Sequence, residues 1–94
     1  MHPGLAEAFE WDEGNERELA AHHIRPPEVE EVFLNSPIWM RNKQGRSGDW
    51  KMVGYTDAGR ALTIIVLMKD AGRILRPITG WDAPRGDHSR YLEK

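Results

Sequence analysis

The sequence contains no cysteine, so neither a disulfide framework nor a thiolate metal site is available to it. It has no apolar run of membrane-spanning length; the longest stretch, Leu62–Met68, still includes a threonine. It has no positive surplus either. Lys and Arg number 13 against 15 Asp and Glu, a formal net charge of −2, which is a poor fit to a free nucleic-acid-binding module. The opening MHPGLAEAFEWDEG lacks both a basic leader and an apolar core, which argues against a signal peptide and makes the cytoplasm the expected location. No GxSxG, P-loop or GxGxxG motif occurs. His22 and His23 are adjacent, so on a helix they point about 100° apart and cannot ligate one ion in the i, i+4 manner; no metal and no cofactor are expected. Ninety-four residues suit one small domain, read here as residues 9–94 behind a flexible tail over residues 1–8.

What is present is organised around Gly59–Trp81. Leu62–Met68 is β-branched and apolar, which predicts a strand buried on both faces. Asp70-Ala71-Gly72 predicts a short hairpin loop, a type I turn closed by glycine, leading into a strand over Arg73–Thr79. Asp57-Ala58-Gly59-Arg60 repeats the tetrapeptide at the other end of the central strand, so the same turn chemistry is expected there. Asp49–Tyr55 reads as the strand before it, and Ile38–Lys43 as another, across a flexible loop at Gln44–Gly48.

Toward the N-terminus, Ala8–Trp11 alternates weakly, as a short edge strand does. Asp12 suits the N-cap of a surface helix running to about His22. Arg25-Pro26-Pro27-Glu28 opens a second helix with Val29, Val32 and Phe33 on one stripe and Glu28, Glu30 and Glu31 facing water. Pro77 cannot donate to a ladder, so its strand is an edge there or carries a bulge. Asp82-Ala83-Pro84 reads as the cap of a last helix reaching about Leu92. The order β-α-α-β-β-β-β-α describes an α+β domain, its helices on one face of a mostly antiparallel sheet of four to five strands.

The charge is unevenly spread. Residues 1–36 carry nine acidic and two basic residues, a net of −7; residues 37–94 carry eleven basic and six acidic ones, a net of +5. If the halves form different faces, the sheet presents positive potential. Lys51, Arg60, Arg73 and Arg76 fall on or beside the strands, and Arg76 shares its face with Ile74 and Ile78 by the period of two. Such an arginine either snorkels from a packed face or lines a half-open site. Metal-free cleavage of an RNA phosphodiester needs a base for the 2′-hydroxyl, cations for the charged phosphorane and an acid for the leaving oxygen. Arginine or lysine supplies the second; His22, His23, His88, Asp82 and Tyr91 are the candidates for the others.

Phe9-Glu10-Trp11-Asp12, Asn15, Leu19-Ala20-x-His22 and Ile24-x-Pro26-x-Glu28-Val29-Glu30-Glu31-Val32-Phe33 together resemble the opening of the BrnT-type toxins. That family shows a FEWD segment, a helix with an Asn, a His-Gly-Val joint and an EEVF helix. The likeness continues through Gly54, Asp57-x-Gly59-Arg60-x-Leu62 and Arg76-x-Ile78-Thr79 to Tyr91, and so spans roughly residues 9–92. Each motif is short, and their order and spacing carry the resemblance. It implies a RelE-like fold with two N-terminal helices and one C-terminal helix. It also implies a ribonuclease toxin of a type II toxin–antitoxin pair and a ribbon-helix-helix antitoxin of the BrnA type as partner. A homodimer and a heterotetramer with the antitoxin are both open. By position it implies His22, Arg60, Arg76 and Tyr91 as catalytic residues, while Lys51, Arg73 and Trp81 are candidates to bind RNA. Three departures stand out. His23 replaces the joint glycine. Trp81 stands where the family has an arginine, and an indole stacks a base but does not neutralise a phosphate. Pro84-Arg85-Gly86-Asp87-His88 replaces a helix rich in Glu and Arg. A binding module that keeps the fold and has lost the chemistry is the alternative these departures raise.

Overall fold

Strand β4 (Ala61–Lys69) lies at the centre of the molecule, and Leu62 through Val66 are buried on both of its faces, as its β-branched composition demands. The computed structural model describes residues 2–42 and 48–84. Around β4 run β1 (Ala8–Phe9), α1 (Glu13–Ala20), α2 (Pro26–Leu34), β2 (Ile38–Arg41), β3 (Trp50–Tyr55) and β5 (Ile74–Asp82). They form a five-stranded mixed sheet of order β1-β5-β4-β3-β2. Strands β2 to β5 make an antiparallel meander, and β1 pairs parallel to β5 at one edge. The architecture is α+β. The helix expected beyond Pro84, with His88 and Tyr91, and most of the Gln44–Gly48 loop lie outside the described residues.

Both helices use one face of the sheet. Leu19, Ile24, Val29 and Val32 are fully buried against Met52, Leu62, Ile64, Val66 and Leu75. Gly80 allows the close approach of α1: a Cβ there would stand 2.6 Å from Ile64 Cδ1 and 3.2 Å from Leu19 Cδ2. Val53, Thr63 and Ile65, on the opposite face by strand alternation, are buried as well.

The N-cap of α1 is Asp12, as expected, and it forms a full capping box with Asn15. Asn15 does more than cap. It is 3% exposed, and its Nδ2 donates to the carbonyls of Glu10 and Pro77, both at 2.9 Å, fastening α1 to β5 beyond the end of β1. Strand β5 is irregular at that point: pairing steps from Ile65–Thr79 to Val66–Pro77 and leaves Ile78 as a bulge. Pro77 is therefore tolerated for both reasons the sequence offered, a bulge and a flank without a strand.

Helix α1 stops at Ala20 rather than near His22. The chain leaves it through a Schellman motif, in which His23 N–H donates to Ala20 O and Ile24 N–H to Leu19 O. His23 takes the left-handed position, φ +61°, that glycine usually fills. Ile24 and Leu19, the apolar pair that accompanies the motif, are both fully buried.

Several expectations are corrected. Within the segment read as a tail, Pro3–Leu5 form a 3-10 turn, Pro3 is buried, and the His2 ring packs against Trp39 and Trp50. Glu28, Glu30 and Glu31 are not simply solvated. Glu28 accepts from Arg25 N–H within the capping box of α2 and from Arg60 Nη1–H, Glu30 from Trp11 Nε1–H and Glu31 from Asp57 N–H, so each ties the helix to another segment. Asp82 closes β5 and its carboxylate is taken by Arg60. The twin tetrapeptides also fold differently. At Asp57–Arg60 only Gly59 has positive φ, the expected type I turn with a glycine bulge. At Asp70–Arg73, Asp70, Ala71 and Gly72 are all positive, the signature of a type I′ turn extended by one residue.

Candidate functional site

Arg76 is set on β5 beside the N-terminus of α1. Its Nη1 donates to Asp12 Oδ2 at 2.7 Å and to Glu10 Oε1 at 3.1 Å, and its Nη2 donates to Asp12 Oδ1 at 3.3 Å. Asp12 thus grips the end of the guanidinium. The other edge, Nε–H with the second Nη2–H, has no acceptor among the described residues, which leaves a bidentate fork of the kind a phosphate fits. Hydrogen bonds from Arg76, and then from Asn15 N–H, hold the Asp12 carboxyl down at about 2. Lys69 and Arg76 lower Glu10, with the Lys69 hydrogen bond the larger cause, and Asp12 raises Arg76 in return.

Arg76 lines a cleft of about 410 Å³ between α1 and β5, together with Gly14, Asn15, Glu18, Ile78 and Thr79. Glu18 Oε2 accepts from Thr79 Oγ1 at 2.8 Å and lies 3.4 Å from His22 Nε2. His22 is therefore joined through Glu18 to the cleft that holds Arg76. An imidazole 3.4 Å from a carboxylate, a guanidinium and a half-open cleft are among the parts that general-base attack on a phosphodiester uses. Glu18 and Thr79 were not singled out as site residues from the sequence. The i, i+4 spacing of Glu18 and His22 is the signal that could have found Glu18; Thr79 reaches the cleft only because α1 lies along β5.

Arg60 is differently placed. Its Nε and Nη2 take both oxygens of Asp82 at 2.7 and 3.3 Å; Nη1 donates to His23 O at 2.7 Å and Glu28 Oε2 at 3.3 Å; Nη2 also donates to His22 O at 3.3 Å. All five of its N–H donors are engaged. Asp82, and secondarily Glu28, raise Arg60, and Arg60 lowers Asp82. This side chain ties the joint after α1 to the end of β5. Arg60 and Arg76 therefore serve opposite ends of α1, and the ten residues from Asp12 to His22 correspond to roughly 15 Å of helix rise.

Part of the charge asymmetry is taken up in ion pairs inside the fold. Acidic residues of the first half pair with basic residues of the second: Glu10 with Lys69 and Arg76, Asp12 with Arg76, Glu28 with Arg60, and Glu7 loosely with Arg73 at 3.9 Å. The separate positive and negative faces that the sequence suggested do not form from these residues. Arg73 sits exposed at the β4–β5 turn. Lys51 and half-buried Trp81 lie, by register, on the sheet face away from the helices, Lys51 opposite Ile65 and Trp81 opposite Thr63. The structure thus sets Arg76 and Glu18 in one cleft, with His22 reaching Glu18 from the far end of α1, where Arg60 holds the His22 carbonyl, and it leaves Lys51, Arg73 and Trp81 elsewhere; Tyr91 is outside the described residues. Among the described residues no group of three or more His, Asp or Glu is arranged to hold a metal ion, and no helix is long and apolar enough to cross a membrane. No family model matches the chain, and no curated protein matches it.

Proposed function

We propose that this chain is a BrnT-type ribonuclease toxin of a type II toxin–antitoxin pair, with metal-independent cleavage of RNA in the α1–β5 cleft and a ribbon-helix-helix antitoxin as its neutralising partner. The observation that carries the reading is the fork of Arg76 in a cleft also lined by Glu18, which His22 approaches to 3.4 Å. Two further facts support the family resemblance. The element order β-α-α-β-β-β-β runs as the motifs require. His23, at the position of the family's joint glycine, keeps the left-handed backbone that a glycine would supply.

On this reading His22, oriented by Glu18, takes the proton of the 2′-hydroxyl as its oxygen attacks phosphorus. The Nε–H and Nη2–H of Arg76 stabilise the charge that develops on the phosphorane oxygens. The bond to the 5′-oxygen then breaks, leaving a 2′,3′-cyclic phosphate, and the leaving oxygen takes up a proton, for which Tyr91 is a candidate donor. Arg60 is a positioning residue: it holds the carbonyls of His22 and His23 and so fixes the joint from which the imidazole projects.

A second reading, a non-catalytic binding module on the same fold, is favoured by the carboxylates that surround Arg76 and by Trp81 in the place of an arginine. Induced expression in a bacterial host separates the two. Growth arrest with new RNA ends, both abolished by Arg76→Ala, supports the nuclease. Normal growth and intact RNA from folded protein support the module.

A further inference from the structure

Beside β1 lies a second concavity that shares no lining residue with the cleft. It is a notch of about 190 Å³ formed by Ala6, Glu7, Ala8 and Phe9 on one side and by Glu30, Phe33 and Leu34 of α2 on the other. Its floor is apolar: the Phe9 and Phe33 rings meet edge-to-face at 5.3 Å, and Leu34 is left 76% exposed at the end of α2. Isolated exposed leucines are ordinary, but this one borders an open strand edge. Ala8 and Glu10 direct their N–H groups to β5, so by alternation the N–H and C=O of Phe9 point outward, and nothing among the described residues takes them. Glu7 lies on the Phe9 side of this edge and meets Arg73 only at 3.9 Å. Glu30 accepts one hydrogen bond, from Trp11, through Oε2.

We propose that this notch docks an extended segment of a partner protein, which adds as a strand to the open edge of β1. That segment seats one apolar side chain between Phe9, Phe33 and Leu34 and places a Lys or Arg, two residues away on the same face, against Glu7 or Glu30. Three features select this occupant. The free amide and carbonyl of Phe9 suit main-chain pairing, which a docked helix does not offer. The notch has the size of a single large apolar side chain, not of a helix face. The carboxylates of Glu7 and Glu30 border the notch, which suits a segment carrying a basic side chain beside its apolar one. The inference stands apart from the nuclease reading, since a protein segment fits this edge whether or not the cleft is catalytic.

The test is an NMR titration of the full ¹⁵N-labelled chain with the blocked peptide acetyl-Lys-Thr-Leu-Thr-Lys-amide and with its counterpart carrying Glu for Lys. The proposal expects saturable shifts of the Phe9 and Leu34 amides with the Lys peptide, and affinity at least about tenfold weaker for the Glu peptide. Leu34→Asp, at a surface position where the fold tolerates it, is expected to abolish the shifts while core resonances stay in place. Equal binding of the two peptides, no shift with either, or shifts of the same amides on raising protein concentration without peptide would each overturn it.

Discussion

Arg60 Nη1 donates to the carbonyl oxygen of His23 at 2.7 Å, and His23 is the residue held at φ +61° where α1 gives way to α2. An arginine that the family resemblance marks as catalytic is thereby committed to a backbone joint, its remaining donors spent on Asp82, Glu28 and His22 O. Replacing it by methionine keeps the aliphatic stem but strands Asp82 and two carbonyls. Arg60→Met is expected to destabilise the fold by about 1–2 kcal/mol, measured by urea denaturation. Arg60→Lys should recover little of this, because an ammonium cannot reproduce the fork on Asp82. Stability unchanged in Arg60→Met would remove the clamp role.

His23 is one of few non-glycine residues with positive φ. A left-handed L-residue costs roughly 1–2 kcal/mol, and glycine gives part of that back as unfolded-state entropy. His23→Gly is therefore expected to stabilise by about 0.5–1 kcal/mol, seen as a higher urea midpoint at unchanged m-value.

Asn15 satisfies two carbonyls, one just past β1 and one on β5, and accepts from Asp12 N–H within the capping box. Asn15→Ala leaves Pro77 O and Glu10 O unpaired in a closed interface, with an expected loss of about 2–3 kcal/mol. Asn15→Asp should fare little better, since a carboxylate presents no N–H to either carbonyl. Circular dichroism thermal melts of both variants check this.

The acid side of the stability profile follows from the carboxylates around the two arginines. Asp12 is held at about 2 against an ordinary 3.8, and Glu10 and Asp82 are lowered too. A folded value below the unfolded one contributes stability that is present above pH 3.8 and disappears as the pH falls toward about 2. Urea midpoints should fall across that window. Asp12→Asn, which keeps an N-cap but does not titrate, should show a shallower fall.

Much of the framework was legible locally. The β-branched run Leu62–Val66 fixed the central strand, Asp12 and Pro26 marked two helix starts, and Pro77 foretold its bulge. What escaped the sequence depends on which strands become neighbours. The −7 and +5 halves look like two faces until β1 pairs with β5 and carries Glu10 to Lys69 and Arg76. The twin tetrapeptides diverge because their anchors differ. Thr56 closes the first turn with its backbone and with Oγ1, which accepts from Arg60 N–H, whereas no side chain does so at Asp70–Arg73. At the candidate site, Arg76 was readable as a cation between two isoleucines. Glu18 and Thr79 became visible only once α1 lay along β5.

The most direct measurement is cleavage of a single-stranded RNA by the purified chain in excess EDTA, comparing wild type with Arg76→Ala, His22→Ala and Arg60→Met, each shown to be folded. Cleavage by the wild type with 2′,3′-cyclic phosphate ends is expected, and the Arg76 and His22 variants should lose it by at least about a hundredfold. Arg60→Met should lose activity only in step with its stability. Intact RNA with the wild type, or full cleavage by Arg76→Ala, would contradict an active cleft between α1 and β5.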